Sequence, residues 1–137
     1  MMARSCRIAA VLFDFDGTRT HPGALDFAAI RREIGCPPER PVLEFIEAMD
    51  NPEARRRAHA VLDAHEMEAA LRSAPAPGAE ALVRQLAAHR IPCGILTRNS
   101  RRAVHRALEN FSGIGPEAFA VIITRDTPVT PKPSGDG

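Results

Sequence analysis

Several features that would assign this chain to a common class of protein are missing from its 137 residues. No apolar run approaches the ~18 residues that a membrane-spanning helix needs. The net charge is only +1, and the basic run Arg55 to Arg57 has no aromatic neighbours of the kind that stack on nucleic-acid bases. We therefore predict that the protein binds neither a membrane nor a nucleic acid.

Paired metal and redox ligands are missing as well. The three cysteines, Cys6, Cys36 and Cys93, are odd in number and far apart, so their spacing fits neither a zinc site nor a redox couple. The histidines show no metal-ligand spacing, and no Ser/His/Asp arrangement is visible. Because reduced thiols are typical of the cytoplasm, we expect a cytoplasmic protein.

Three short apolar runs indicate β-strands. They cover residues 8–13, 91–96 and 119–123, and the first is rich enough in branched residues to predict a strand buried on both faces. An amphipathic pattern over 101–111 predicts a helix between the second and third runs, and a further helix over 79–88 leads into the second. Strand, helix, strand predicts a parallel pair with a crossover, so the fold class is α/β with a Rossmann-like parallel sheet flanked by helices.

Helical patterns fill the segment between the first and second strands. One helix carries Phe27, Ile30 and Ile34 on a single face and ends at Gly35, and a short second helix follows. Asn51 and Pro52 have the order of an N-cap and first turn, and predict a third, longer helix. We predict a small helical cap over residues 20–75, inserted into a core of residues 1–19 and 76–137.

Each predicted strand is followed by a polar group at its carboxyl end. Asp14 and Asp16 follow the first strand, and Thr97 follows the second, directly before a helix for which Asn99 or Ser100 would be the cap. Lys132, the one lysine among 18 lysines and arginines, follows the third. Because ligands of parallel sheets bind beyond the carboxyl ends of the strands, we expect these groups to meet.

The chemistry of this group of side chains favours a phosphate ester and a divalent cation. Mg²⁺ prefers carboxylate oxygens, which Asp14 and Asp16 offer, while a hydroxyl, an ammonium and the amides of a helix N-terminus would surround a phosphate. A carboxylate can also attack phosphorus and form an aspartyl-phosphate. A buried pair of carboxylates is costly, and metal and lysine would offset their charge.

The sequence resembles the haloacid dehalogenase superfamily of phosphohydrolases, and in particular its phosphoglycolate-phosphatase-like members with a small helical cap. The segment from Asp14 to Thr18, with the sequence DFDGT, is similar to the first motif of that family. Thr97 matches the second motif and Lys132 the third, and each motif follows a predicted strand. The resemblance covers essentially the whole chain.

The resemblance implies a Mg²⁺-dependent phosphomonoester hydrolase that acts on a small phosphorylated metabolite. Asp14 would be the nucleophile and a Mg²⁺ ligand. Asp16 would be the general acid and then the general base, and its backbone carbonyl would contact Mg²⁺. Thr97 and Lys132 would complete the catalytic set. The implied phosphate-binding residues are Gly17, Thr18, Thr97, Arg98, Asn99 and Lys132.

Two departures from the family pattern leave alternatives open. Arg19 stands where members carry a small or aliphatic residue, and the fourth motif, an acidic pair after a further strand, is missing; Asp136 is a poor substitute. The sheet would then be incomplete at its C-terminal side, and its exposed edge would favour self-association or pairing with a further segment. We expect weak or no turnover from this chain alone. The alternatives are a catalytically inactive phosphate-binding homologue and a receiver-like phospho-signalling module.

Overall fold

A small parallel sheet forms the centre of the molecule. The structure is a computed structural model and describes residues 7–15, 25–130 and 132–137. Three strands, β1 (Val11–Asp14), β2 (Cys93–Leu96) and β3 (Val121–Ile123), pair in parallel in the order β1-β2-β3. The register aligns Asp14 with Leu96, so the carboxyl ends of β1 and β2 lie side by side. The predicted parallel α/β sheet is confirmed.

Five α-helices lie within the described residues: α1 (Phe27–Ile34), α2 (Val42–Glu47), α3 (Pro52–Arg72), α4 (Ala79–Ala88) and α5 (Arg101–Leu108). Their ends follow local signals in the sequence. Gly35 ends α1 in the left-handed conformation, with φ of 70°. The Asn51 side chain caps α3 by accepting from the amides of Glu53 and Ala54, and Ser100 caps α5 by accepting from that of Ala103.

The first strand differs from its prediction in length and in burial. It begins at Val11, not at residue 8, and Ile8 and Leu12 are 65% and 52% exposed, so it is not buried on both faces. The chain passes from β1 to β2 and from β2 to β3 in the same direction across the sheet. Because connections between parallel strands are right-handed, α4 and α5 lie on the same face. That face carries Phe13 and Ile95, which belong to the main apolar cluster.

Two apolar clusters share the long helix α3. Its C-terminal part supplies Ala70 to the main cluster under the sheet. Its N-terminal part supplies Ala58 and Leu62 to a second cluster, which also contains Ile30 of α1 and Ile46 of α2. Helix α3 thereby fixes the smaller helices beside the carboxyl ends of the strands. The division into core and cap domains stays a prediction.

Candidate active site

An ion pair joins the carboxyl end of β1 to the C-terminal segment. Lys132 Nζ lies 2.9 Å from Asp14 Oδ1, although 118 residues separate the two in sequence. The same segment reaches the end of β2, because a Cβ added at Gly137 would lie 2.6 Å from Leu96 Cδ1. The structure therefore brings together two of the predicted catalytic side chains.

The environment of Asp14 differs from the buried carboxylate that the sequence predicts. Its side chain is 56% exposed. Asp14 is the last residue of β1, and the cost of burial does not apply to a side chain this exposed. Among the described residues, the hydrogen-bond partner of this carboxylate is Lys132, which donates to Oδ1.

Thr97 directly follows β2, the strand that pairs with β1. It is 5% exposed, its amide bonds to the carbonyl of Ile123, and its Oγ1 accepts from the amide of Asn99 at 3.1 Å. Because Asp14 is aligned with Leu96, Thr97 stands one residue beyond the level of the carboxylate. The loop from Thr97 to Ser100, which we call the threonine loop, therefore borders Asp14.

The start of α5 attracts anions, as expected of a helix N-terminus, but these anions belong to the protein. The Ser100 amide donates to Glu66 Oε2 at 3.2 Å, and the Arg101 amide donates to Asp126 Oδ2 at 2.6 Å. These two amides are therefore engaged by carboxylates and are not open to a phosphate.

Arg98 and the residues after Asp14 complete the predicted set. The Arg98 side chain reaches away from the sheet and pairs with Glu44 Oε1 of α2 at 2.5 Å. Three residues of the predicted site, Asp16, Gly17 and Thr18, lie outside the described residues. Arg19, which departs from the family pattern, lies outside them as well. Their predicted roles, like those of Thr97, Arg98, Asn99 and Lys132, stay predictions.

A magnesium ion would find one carboxylate in the described part of this site. No group of three or more His, Cys, Asp or Glu residues there is placed to hold a metal. The donor chemistry still fits, because Mg²⁺ binds through one or two carboxylates and keeps several waters. The carboxylate of Asp14 is such a ligand, and the backbone carbonyl of Asp16 is the expected second contact.

A cavity of about 310 Å³ lies beside the threonine loop, between the helices of the insertion and the end of β2. Its wall is mostly apolar, with Phe27, Leu43 and Leu62 among the contributors, and Arg31 and Arg98 add positive charge. The volume is at the lower end of the range for small-molecule pockets. The sequence did not predict this cavity.

The sequence also did not predict a buried ion pair next to the threonine loop. Glu66 of α3 is 4% exposed and pairs with Arg125, which follows β3. Burial lowers the pKa of Arg125, but the hydrogen bond and charge of Glu66, with Asp63 and Asp126, outweigh it and raise that pKa above its ordinary value. One signal was available: Glu66 stands four residues after Leu62 on the apolar face of α3, where a carboxylate needs a buried partner.

Comparison with known proteins assigns the family. The model of the haloacid dehalogenase-like hydrolases matches residues 8–137. The chain therefore belongs to this family. Within the part of the chain that the structure describes, no helix is long and apolar enough to cross a membrane.

The relatives agree with this assignment. The chain is 31% identical over 128 residues to the uncharacterized hydrolase YOR131C of Saccharomyces cerevisiae; the match covers 92% of this chain and 59% of the relative, so the chain spans about three fifths of that protein. The structure of CbbY from Rhodobacter sphaeroides in complex with phosphate has a TM-score of 0.64 at 20% identity, with 93% of this chain and 68% of that one covered.

Two further solved structures share the fold. A candidate phosphoglycolate phosphatase from Lactobacillus plantarum gives a TM-score of 0.64 at 21% identity, covering 94% of this chain and 67% of the other. The L-2-haloacid dehalogenase from Xanthobacter autotrophicus gives 0.55 at 20% identity, covering 95% and 62%. Since the fold is common to proteins named for different chemistry, the substrate has to be argued from the site.

Proposed function

We propose that this protein is a Mg²⁺-dependent phosphomonoester hydrolase that acts on a small phosphorylated metabolite through an aspartyl-phosphate at Asp14. The observation that carries the proposal is the contact between Lys132 Nζ and Asp14 Oδ1, at 2.9 Å, beside the buried Thr97. A carboxylate with one oxygen paired to an ammonium can present its other oxygen to an electrophile.

The proposed reaction has two steps. In the first, Asp14 Oδ2 attacks phosphorus, the bond to the ester oxygen breaks, and the leaving alcohol takes a proton from Asp16. In the second, Asp16 removes a proton from water, which attacks the aspartyl-phosphate; phosphate leaves and the carboxylate of Asp14 is restored. Mg²⁺, held by Asp14 and Asp16, would supply positive charge against the phosphate oxygens.

Different described residues bind the phosphate and the organic group of the ester. Lys132 neutralises negative charge on Asp14 and on the phosphate, which reduces the repulsion that an anionic nucleophile meets when it approaches an anionic ester. The hydroxyl of Thr97 donates to a phosphate oxygen. The neighbouring cavity, apolar and bordered by Arg98, receives the organic group of the ester.

A second candidate function is phosphate binding without turnover. It is favoured by the single carboxylate that the described part of the site offers to a metal. The family assignment leaves the receiver-like signalling module without support.

The test is phosphate release from 4-nitrophenyl phosphate, with Mg²⁺ and with excess chelator. We expect weak Mg²⁺-dependent release that Asp14→Asn reduces by about 10³-fold or more, because the amide is a poor nucleophile. Asp50→Asn, at an exposed position before α3, is the matched control and should leave the rate unchanged.

The other outcomes separate the two candidates. Calorimetric titration with inorganic phosphate would accompany the kinetics. Binding without release would favour the phosphate-binding protein over the enzyme. A release rate that survives in Asp14→Asn would show that Asp14 is not the nucleophile.

A further inference from the structure

The chain after β3 and the helix α3 are joined by a set of buried charges next to the threonine loop. Arg125 Nη1 lies 2.7 Å from Glu66 Oε1, and Nη2 lies 3.0 Å from Glu66 Oε2, so the pair is bidentate. Nη2 also lies 2.6 Å from Asp63 Oδ1. The exposed fractions of the Arg125 and Glu66 side chains are 13% and 4%, whereas that of Asp63 is 50%. The desolvated part of the cluster is therefore the Arg125–Glu66 pair.

Arg125 and Glu66 contact the backbone of the threonine loop at three consecutive residues, two of them through the paired side chains and one through the Arg125 backbone. Arg125 Nη1 donates to the carbonyl of Arg98 at 3.1 Å, and the Arg125 amide donates to the carbonyl of Asn99 at 3.0 Å. Glu66 Oε2 accepts from the amide of Ser100 at 3.2 Å. Hence the peptide groups on both sides of Asn99, whose own amide bonds to Thr97 Oγ1, have fixed orientations.

Stability alone does not account for such a pair. Desolvation of two charges offsets most of their attraction, and apolar residues of similar volume often replace a buried ion pair without loss of stability. Apolar side chains cannot bond to the carbonyl of Arg98 or to the Ser100 amide. The property that the charged pair adds is therefore the orientation of the loop that carries Thr97.

We propose that Arg125 and Glu66 are positioning residues, which fix the threonine loop in the conformation that binds phosphate. This inference rests on the proposed function, since it takes phosphate as the ligand of that loop. The two residues act through the backbone of residues 98–100 and do not touch the phosphate. Asp63 holds the exposed side of the guanidinium and contributes less, because water can replace it.

The experiment compares a charge-free double variant with single variants. Glu66→Leu combined with Arg125→Met keeps the volume but removes both side-chain bonds to the loop, those to the Arg98 carbonyl and the Ser100 amide, and leaves the backbone bond from residue 125 to Asn99. We expect its melting temperature to stay within about 5 °C of the wild type. Its affinity for inorganic phosphate, measured by calorimetric titration well below the melting temperature, should fall about 10- to 100-fold.

Single variants keep the test decisive if the double variant fails to fold. Arg125→Lys retains the charge but loses the fork that reaches Glu66 and the Arg98 carbonyl together, so phosphate affinity should fall although the protein folds. Glu66→Gln keeps an acceptor for the Ser100 amide and should lose less affinity than Arg125→Lys. Glu68→Gln, in the exposed Glu68–Arg72 pair of the same helix, is the matched control and should change neither quantity.

The possible failures are distinguishable. A wild-type chain that binds no phosphate would overturn the proposed function and this inference together. A wild type that binds phosphate, with a folded double variant or Arg125→Lys of equal affinity, would overturn the inference alone and leave the pair as a purely structural element.

Discussion

Replacement of Lys132 by methionine separates the role of this side chain in the site from its role in the fold. In the Lys132–Asp14 pair, at 2.9 Å, the lysine is 34% and the aspartate 56% exposed. Exposed pairs of this kind contribute about 0–1 kcal/mol to folding because water screens them. We therefore expect Lys132→Met to shift the melting temperature by at most roughly 4 °C.

The expected effect on phosphate binding is larger. Two unit charges about 4 Å apart interact by about 4 kcal/mol at an effective dielectric constant of about 20. Because Lys132 is one third exposed, solvent screening reduces this to about 1.5–2.5 kcal/mol, which corresponds to a loss of affinity of about 10- to 100-fold. Lys132→Arg should recover part of the affinity, since it restores the charge but not the compact ammonium.

The assay is calorimetric titration with inorganic phosphate in the presence of Mg²⁺, beside thermal unfolding of each variant. Arg56→Met removes an exposed positive charge from α3 and controls for the change in net charge. Unchanged phosphate affinity in Lys132→Met would contradict the role of this lysine in the site. A fall in melting temperature of more than roughly 8 °C would contradict the estimate that the pair is weak.

Three further predictions concern the fold, and urea unfolding monitored by circular dichroism checks each. Ile95→Ala, at a fully buried position of β2, should lower the free energy of unfolding by about 2–5 kcal/mol, whereas Leu12→Ala, at a position 52% exposed, should lower it far less. Asn51→Ala removes the cap of α3 and should reduce the same free energy by about 1 kcal/mol. Gly94→Ala should reduce it by about 1–3 kcal/mol, because the added Cβ would lie 2.7 Å from Val121 Cγ1; an unchanged value would mean that Val121 yields without strain.

Several elements could be predicted because their signals are local. Helix α4 has the predicted bounds of Ala79–Ala88, α1 ends at the predicted Gly35, and Ser100 caps α5 as one of the two candidates. Caps, left-handed glycines and helical periodicity depend on residues within about four positions of one another. A single sequence displays such signals directly.

The exposure of β1 could not be predicted in the same way. Its apolar run is typical of a strand covered on both faces, yet Leu12 is half exposed because α4 and α5 both pack on the other face of the sheet. Which face a helix covers depends on strand order and on the handedness of the crossovers. The residues of β1 alone indicate neither the strand order nor the handedness of the crossovers.

The same distinction between local signals and tertiary packing applies to the candidate site. The sequence by itself determined which groups stand at the strand ends, since Asp14, Thr97 and Lys132 each follow an apolar run, and parallel strands bring their carboxyl ends to one edge. Only the tertiary structure decided what surrounds them. The Asp14 side chain is 56% exposed and pairs with Lys132, and the side-chain bonds from Arg125 and Glu66 to the threonine loop join residues 27 and 34 apart. Such contacts depend on how α3 packs against the ends of β2 and β3, and no local pattern specifies this packing.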